Sequence, residues 1–374
     1  IEPRGVRPEE IESLHTLTDI VFRPGMAKQY PQLFNADNYE NLRVCVVDGK
    51  CVSHVGMKIQ DAFLYGCRIR TVCIGGVATH PDYRKLGYAS LCFDDARRIS
   101  KEQGVDVMIV SGDRNLYRMR GCLHVGDDRV FSITPHTLPP ELEARSASIT
   151  VSPMAPAELP LVMECYQKEP VRFQRFPSDY HYLHQSGWAM NSPVELWVVR
   201  ERGDFRGYLL IRKPTPQSEA NLVEFAGDRA SLLSALPLLM RHYALNRLSF
   251  QVQRHDSLLR SLCEAYGWEG TLRSTSGTVT LIHFSQLMER MRPRFEEILG
   301  QPLAASLRFS QNEEAYTFGL GTEEFVTDRD TATRMLFGTT SGVEPALAEL
   351  GGALGEALRS ILPLPTLWYG INYV

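Results

Sequence analysis

Apolar side chains recur at helical spacing near the start of the chain. Ile11, Leu14, Leu17, Ile20 and Val21 share one face and predict a helix over 9–22. The pattern then shortens to strands. Apolar runs over 42–47, 51–63 and 68–77 are separated by Asp48-Gly49 and Tyr65-Gly66, which predict tight turns. Helical period returns over 87–103, where Ala89, Cys92, Phe93, Ala96 and Ile99 form the apolar face and Gly104 is a C-terminal stop. A short continuous apolar run, 105–110, predicts a buried strand. A short helix near 114–120 and a strand over 125–132 complete this part of the pattern. Residues 135–148, rich in Pro, Glu and Ala, read as a linker.

After the linker the pattern recurs. A helix is predicted over 159–166, strands over 194–200 and 207–212 with a turn at Gly203, and a strand over 221–226. Helix 230–245 and strand 248–252 follow. The stretch 258–268, ending Ala265-Tyr266-Gly267-Trp268, echoes the one ending Tyr117-Arg118-Met119-Arg120-Gly121-Cys122. Residues 285–374 differ in character: a helix over 285–299 stopped by Gly300, short strands near 304–309 and 314–319, a helix capped by Asp328 and closed by Gly338, and another begun by Pro345. The last residues are apolar and aromatic, Leu367-Trp368-Tyr369-Gly370-Ile371-Asn372-Tyr373-Val374. Chain ends are normally polar and frayed, so this one is expected either as a strand tucked into a core or as a segment inserted into a site.

Composition narrows the class. A chain of 374 residues exceeds one ordinary core, and 44% apolar with 22% charged residues is far from a disordered composition. A net charge of −4 gives no reason to expect a nucleic-acid partner. No apolar run approaches the length of a membrane span and no signal peptide is visible, so no membrane partner and a cytoplasmic location are expected. The eight Cys residues contain no Cys-x-x-Cys pair and read as buried thiols of a reducing compartment, neither metal ligands nor disulfides.

The segment with most chemical content is Arg84-Lys85-Leu86-Gly87-Tyr88-Ala89. It lies between a buried strand, stopped by Pro81, and an amphipathic helix. The free N–H groups of a helix's first turn and the positive end of its dipole point at one spot, where an anion binds. Gly87 and Ala89 carry little side chain, so a phosphate can approach the backbone. A nucleoside-triphosphatase loop would need Gly-x-x-x-x-Gly-Lys-(Ser/Thr), which is absent. Arg-x-x-Gly-x-Ala in this context resembles the pyrophosphate loop of the GNAT N-acetyltransferases. The element order over the first 136 residues resembles their αβββαβαβ fold.

The resemblance implies an α/β (α+β) fold class, with acetyl-CoA as co-substrate and no metal. By position it implies that Val77, Ala78 and Thr79 present backbone groups to the pantetheine arm and acetyl carbonyl. It likewise implies that Arg84, Lys85, Leu86, Gly87, Tyr88 and Ala89 hold the pyrophosphate, with Ser111 and Asn115 as further CoA contacts. Tyr117, in a segment similar to the family's Tyr-x-x-x-Gly-Phe, is the implied general acid. A phenol is protonated at neutral pH and able to supply a proton to a thiolate. Cys122 stands where the family favours an aromatic residue.

An active module, a degenerate one and a small α/β tail together resemble the enhanced intracellular survival (Eis) acetyltransferases. This predicts tandem GNAT modules over 1–136 and 149–284 and a sterol-carrier-protein-like domain over 285–374 that ends in the active site. The second module carries Ala226-Gly227-Asp228-Arg229-Ala230-Ser231 in place of the loop, with an acid where a phosphate would sit. It is therefore expected not to bind CoA. The strand 71–79 holds no carboxylate to serve as base. His80 is a candidate on chemistry alone, but it stands beside the phosphate loop. In the Eis-like group the chain's terminal carboxylate is the base, which here points to Val374, although family members mostly end in an aromatic residue. That role requires Val374 to be the last residue of the polypeptide.

Asp19, Phe22, Tyr30 and Phe34 are expected to line an acceptor pocket whose acidic and aromatic wall suits a polyamine or aminoglycoside. The expected partner is a small-molecule amine, or a protein lysine. The resemblance also implies a homo-oligomer, a hexamer or trimer. A reading of a different class is a non-catalytic acyl-CoA or lipid-binding sensor or carrier.

Overall fold

The structure is a computed structural model that describes residues 1–312 and 315–374. In chain order, β1 (Arg4–Gly5) leads to α1 (Ile11–Val21) and α2 (Met26–Gln29). The meander β2 (Leu42–Val47), β3 (Lys50–Leu64) and β4 (Cys67–Thr79) follows. Its two turns have the left-handed φ values that the sequence required, 47° and 76° at Asp48 and Gly49, 50° and 86° at Tyr65 and Gly66. Next come α3 (Tyr88–Glu102), β5 (Val107–Val110), α4 (Asn115–Arg118) and β6 (Asp128–Ile133).

Residues expected as a linker contain a helix, α5 (Pro140–Ser146). Prolines fit its first turn, Glu141 and Glu143 face the positive end of its dipole, and Leu142 is buried in the second core. Further along are β7 (Ile149–Pro153), α6 (Leu159–Gln167), β8 (Val171–Phe173), α7 (Pro177–Ser186), β9 (Trp188–Ala189), β10 (Ser192–Glu201), β11 (Asp204–Arg212) and β12 (Glu219–Gly227). This part closes with α8 (Arg229–His242), β13 (Arg247–Val252), α9 (Ser257–Ala265), β14 (Gly270–Arg273) and β15 (Thr278–Leu281).

Among the described residues the strands form three sheets. The first runs β1-β2-β3-β4-β5-β15, with β8 beside the far end of β3. The second runs β14-β6-β13-β12-β11-β10-β7, with β9 beside β10. The modules are therefore interleaved. β6, expected as the last strand of the first module, instead pairs with β13 and β14 in the second sheet. β15 returns from the second module and lies antiparallel to β5 in the first. Sequence periodicity anticipated β6 and β13 but not β14 or β15, and it carries no information on strand partners.

Both faces of the first sheet are covered. Cys92, Phe93 and Ala96 of α3 pack on Val72, Ile74, Met108 and Val110. The opposite face meets Leu14 and Leu17 of α1 and residues from the rest of the molecule. Full burial of a side chain such as Phe93 contributes about 1.5–3 kcal/mol, so α3 is held firmly against the strand that precedes it.

The C-terminal part comprises α10 (Phe284–Arg290), α11 (Arg292–Leu299), α12 (Gln301–Ser306), a sheet of β16 (Leu307–Gln311), β17 (Tyr316–Leu320) and β18 (Glu323–Thr327), then α13 (Arg329–Phe337), α14 (Pro345–Glu349) and α15 (Gly352–Ile361). The single helix expected over 285–299 is broken at Met291, because Pro293 cannot donate a backbone hydrogen bond. Residues 304–306, expected in a strand, finish α12, and the strand begins at Leu307. Position 314 of the next expected strand lies outside the described residues. Asp328 caps α13 as expected, accepting from the Thr331 N–H at 2.8 Å. The terminal segment is not a strand: after α15 it runs irregularly, with one short turn at Gly370–Asn372, and Val374 is buried.

Candidate active site

The site begins with a flaw in a strand. Opposite β3, His54 pairs with Ala78 but Gly56 pairs with Gly75, so Gly76 and Val77 together oppose Val55. This bulge needs the left-handed φ of 60° at Gly76. His54 fixes it from behind. Its ring is fully buried, burial lowers its pKa to about 4, and the neutral Nδ1–H donates to the Gly76 carbonyl at 2.7 Å. Phe34 packs on the His54 ring and does not reach the cavity.

Beyond the bulge β4 leaves β5. The two are parallel from Thr71–Val107 to Ile74–Val110. The last link is Ser111, whose N–H and hydroxyl both reach the Ile74 carbonyl at 3.2 Å. A cavity of about 290 Å³ lies in the splay. Gly75, Gly76 and Val77 form one lip, and Ser111, Gly112 and Arg114 the other. Tyr117 of α4 and the chain end, Tyr373 and Val374, also line it. The remaining wall is Phe22, Arg23, Met26 and Tyr30 from the α1–α2 region and Asn191 from the β9–β10 turn.

Tyr117 is buried against Phe93, with ring centroids 5.4 Å apart, and burial raises its pKa above the usual phenol value. It is therefore a protonated donor at neutral pH. The chain end fits so closely that a Cβ on Gly75 would lie 2.0 Å from the Val374 carbonyl carbon. Tyr373 is held by Gln32, whose amide donates to its carbonyl at 2.8 Å, and by Asn191, which donates to its hydroxyl at 2.7 Å. The Asn191 side-chain oxygen accepts from the Tyr30 hydroxyl, whose pKa burial pushes up to about 12.

At the open end of β4 stands the anion cradle. Arg84, Lys85, Leu86 and Gly87 are exposed. Lys85 and Gly87 take left-handed φ values of 64° and 84°, and no side chain caps α3. The first N–H groups of α3, at Tyr88 and Ala89, are thus free for a ligand. These residues fit a pyrophosphate. The equivalent turn of the second module does not. There Asp228 caps α8, its carboxylate accepting from Ser231 N–H at 2.8 Å, and Arg229 is tied to Glu169 and Asp256.

Several expected residues lie elsewhere. The Asp19 carboxylate accepts from the Gly25 N–H at 3.0 Å and does not line the cavity, so the acidic wall expected for a cationic acceptor is not formed by it. The Ala78 carbonyl and Thr79 hydroxyl face Ser53 on β3, 3.1 and 2.9 Å from its hydroxyl. Asn115 is exposed at the start of α4, outside the cavity wall. His80 accepts from the Asp82 N–H and belongs to the turn before the cradle. Gly75, Gly76, Gly112, Arg23, Met26, Arg114 and Asn191 were not anticipated. The Gly75-Gly76 pair inside an apolar strand was a readable sign of a bulge and a close backbone approach. Asn191 carried no such sign, since a distant module supplies it.

The terminal segment reaches this cavity from the second module's own splay. Trp368 Nε1 donates to the Val223 carbonyl at 2.6 Å, and Gln253 donates to the Thr366 carbonyl at 2.7 Å. Below them Arg175 and Glu224 form a buried two-point ion pair, at 2.7 and 2.6 Å. Arg175 Nε also donates to Asn372, and Glu224 accepts from the Ile371 N–H. The segment thus sits where the first module keeps an open cleft.

Residues 2–125 match the model of the acetyltransferase (GNAT) domain family, so this part of the chain is a GNAT acetyltransferase domain. The match ends before β6, the strand that crosses to the second sheet. Three solved structures share the fold over almost the whole chain. A probable N-acyltransferase from Enterococcus faecalis V583 is 14% identical, with 98% of each chain covered and a TM-score of 0.69. A GCN5-related N-acetyltransferase from Anabaena variabilis ATCC 29413 is 14% identical over 98% of this chain and 97% of that one, with a TM-score of 0.64. Eis1 from Mycobacterium abscessus is 11% identical over 98% and 99%, with a TM-score of 0.60. No curated protein matches the chain.

Proposed function

We propose that this protein is an acetyl-CoA-dependent N-acetyltransferase that moves an acetyl group to a primary amine within a ternary complex, without an acyl-enzyme. The observation that carries the reading is the splay between β4 and β5. A backbone bulge, a protonated buried tyrosine and the chain end line one cavity there, and the uncapped N-terminus of α3 follows the end of β4.

Acetyl-CoA supplies the activated thioester. The cradle Arg84 to Ala89 holds its pyrophosphate through backbone N–H groups and basic side chains. Backbone N–H donors at the Gly76–Val77 bulge are proposed to face the thioester carbonyl and stabilise charge developing on its oxygen. The amine nitrogen bonds to the acetyl carbon, the carbon–sulfur bond breaks, and Tyr117 gives its proton to the leaving thiolate. The proton lost by the amine passes to a base. In a polypeptide that ends at Val374, its carboxylate is the proposed base, ionised at neutral pH. The C-terminal domain, proposed as sterol-carrier-protein-like, acts as the scaffold that delivers this segment. A cytoplasmic homo-oligomer completes the proposal.

Tyr117→Phe tests it. Turnover in a thiol-release assay is expected to fall about 100-fold, with calorimetric affinity for acetyl-CoA kept. The raised pKa of Tyr117 means that the wild type keeps its acid beyond the pH at which an ordinary phenol loses its proton. Unchanged turnover in the variant would remove the acid role, and binding without turnover on any amine would favour a sensor.

A further inference from the structure

The charges around the cavity point to a different acceptor from the one expected. Among the described residues its wall contains two charged side chains, Arg23 and Arg114, and no Asp or Glu; in a polypeptide that ends at Val374 the terminal carboxylate, the proposed base, adds a single negative charge against these two cations. Arg114 lies on the β5 lip, where the reading above places CoA. Arg23 stands on the acceptor side, after α1. Its Nε donates to Gln29 at 2.8 Å and its guanidinium lies 5.1 Å from the Trp188 ring centre, so the group is held in place. Its buried Nη2 makes no hydrogen bond of good geometry, the Tyr30 hydroxyl is a further polar group that interacts with the guanidinium, and Arg23 forms no ion pair among the described residues. The nearby acid on α1, Asp19, is occupied by the Gly25 N–H. A second guanidinium, Arg212, stands behind the wall. It donates to the Met190 carbonyl at 2.9 Å and leaves its buried Nε unpartnered.

A half-buried cation without a carboxylate partner is costly to keep from water, and a bound anion offsets that cost. A polyamine or aminoglycoside would bring more positive charge to the same wall. We infer that the acceptor is an amine that also carries an anionic group, a carboxylate or a phosphate monoester, gripped by Arg23. The same positive field favours the neutral amine over its ammonium, which is the form that attacks. This inference rests on the transferase reading for its chemistry, but its central contact is measurable without turnover.

Four aminopropyl compounds matched in length provide the test: 4-aminobutyrate, 3-aminopropyl phosphate, n-butylamine and 1,4-diaminobutane. At least one anionic amine is expected to exceed n-butylamine in kcat/KM by about tenfold, with 1,4-diaminobutane the poorest. The better of the two anions identifies carboxylate or phosphate. Arg23→Gln is expected to abolish the anionic-to-neutral ratio and Arg23→Lys to restore part of it. Equal or better use of n-butylamine or 1,4-diaminobutane overturns the inference, as does a ratio that survives in Arg23→Gln. Should no amine be acetylated, the transferase reading fails separately. Titration of the two anionic amines into the CoA-loaded protein then decides. Binding about tenfold weaker in Arg23→Gln upholds the contact, whereas equal or undetectable binding to both forms overturns it.

Discussion

Gly75 shows how one hydrogen atom in place of a methyl group admits a whole segment. A Cβ there would overlap the Val374 carbonyl. Gly75→Ala is therefore expected to push the terminal residue out of the cleft and to cost about 1–3 kcal/mol by overpacking. Thermal unfolding measures the second effect. Thiol release at saturating acetyl-CoA measures the first, which should appear as a loss in kcat with acetyl-CoA affinity retained. At this scale the sequence was legible where chemistry is local. Tyr117 and the Arg84 to Ala89 segment stood out by residue type and spacing. Asp19 misled because an acid near a pocket and an acid capping a turn look alike in sequence. Only the 3.0 Å contact with the Gly25 N–H separates them.

The two strand-to-helix turns differ as elements. α3 starts at a glycine with φ of 84° and an unfilled N-terminus, whereas α8 starts at an aspartate that fills its own. The Cβ position of Gly87 meets nothing within 4 Å. Gly87→Ala therefore isolates backbone conformation, which costs roughly 1–2 kcal/mol for a residue with a side chain in the left-handed region. The expected outcome is a raised KM for acetyl-CoA and weaker CoA binding by calorimetry, with little change in the amine's KM. Periodicity located most of these elements within a few residues. In two places where it failed, a proline decided. Pro293 divides the expected helix 285–299, and prolines begin α5 where a linker was expected.

Across the whole molecule, the second module serves the first. β6 and β15 are exchanged between sheets, and residues 366–374 cross from one splay to the other. The Arg175–Glu224 pair anchors that crossing, with Tyr208 donating to the same carboxylate. Removing one partner of such a buried pair costs about 3–5 kcal/mol. Glu224→Gln should lower the denaturation midpoint accordingly. It should also speed hydrogen exchange at Ile371, whose N–H donates to Glu224. Turnover should fall although the residue lies outside the cavity wall. Exchange at Ile371 as slow as in the wild type would argue against the anchor.

By itself the sequence determined most of the elements and singled out the proposed anion cradle, the acid that replaces it in the second module, and the candidate tyrosine, because propensity, capping and loop chemistry act over a few neighbouring residues. Tertiary structure alone decided which strands exchange sheets, that Asn191 and Arg23 meet at one wall, and that the charged side chains of this wall are both arginines. Pairing and local charge depend on residues far apart in the chain, up to the contact of Gln32 with Tyr373. Their partners are set by how the sheets and the terminal segment pack, which no local pattern records.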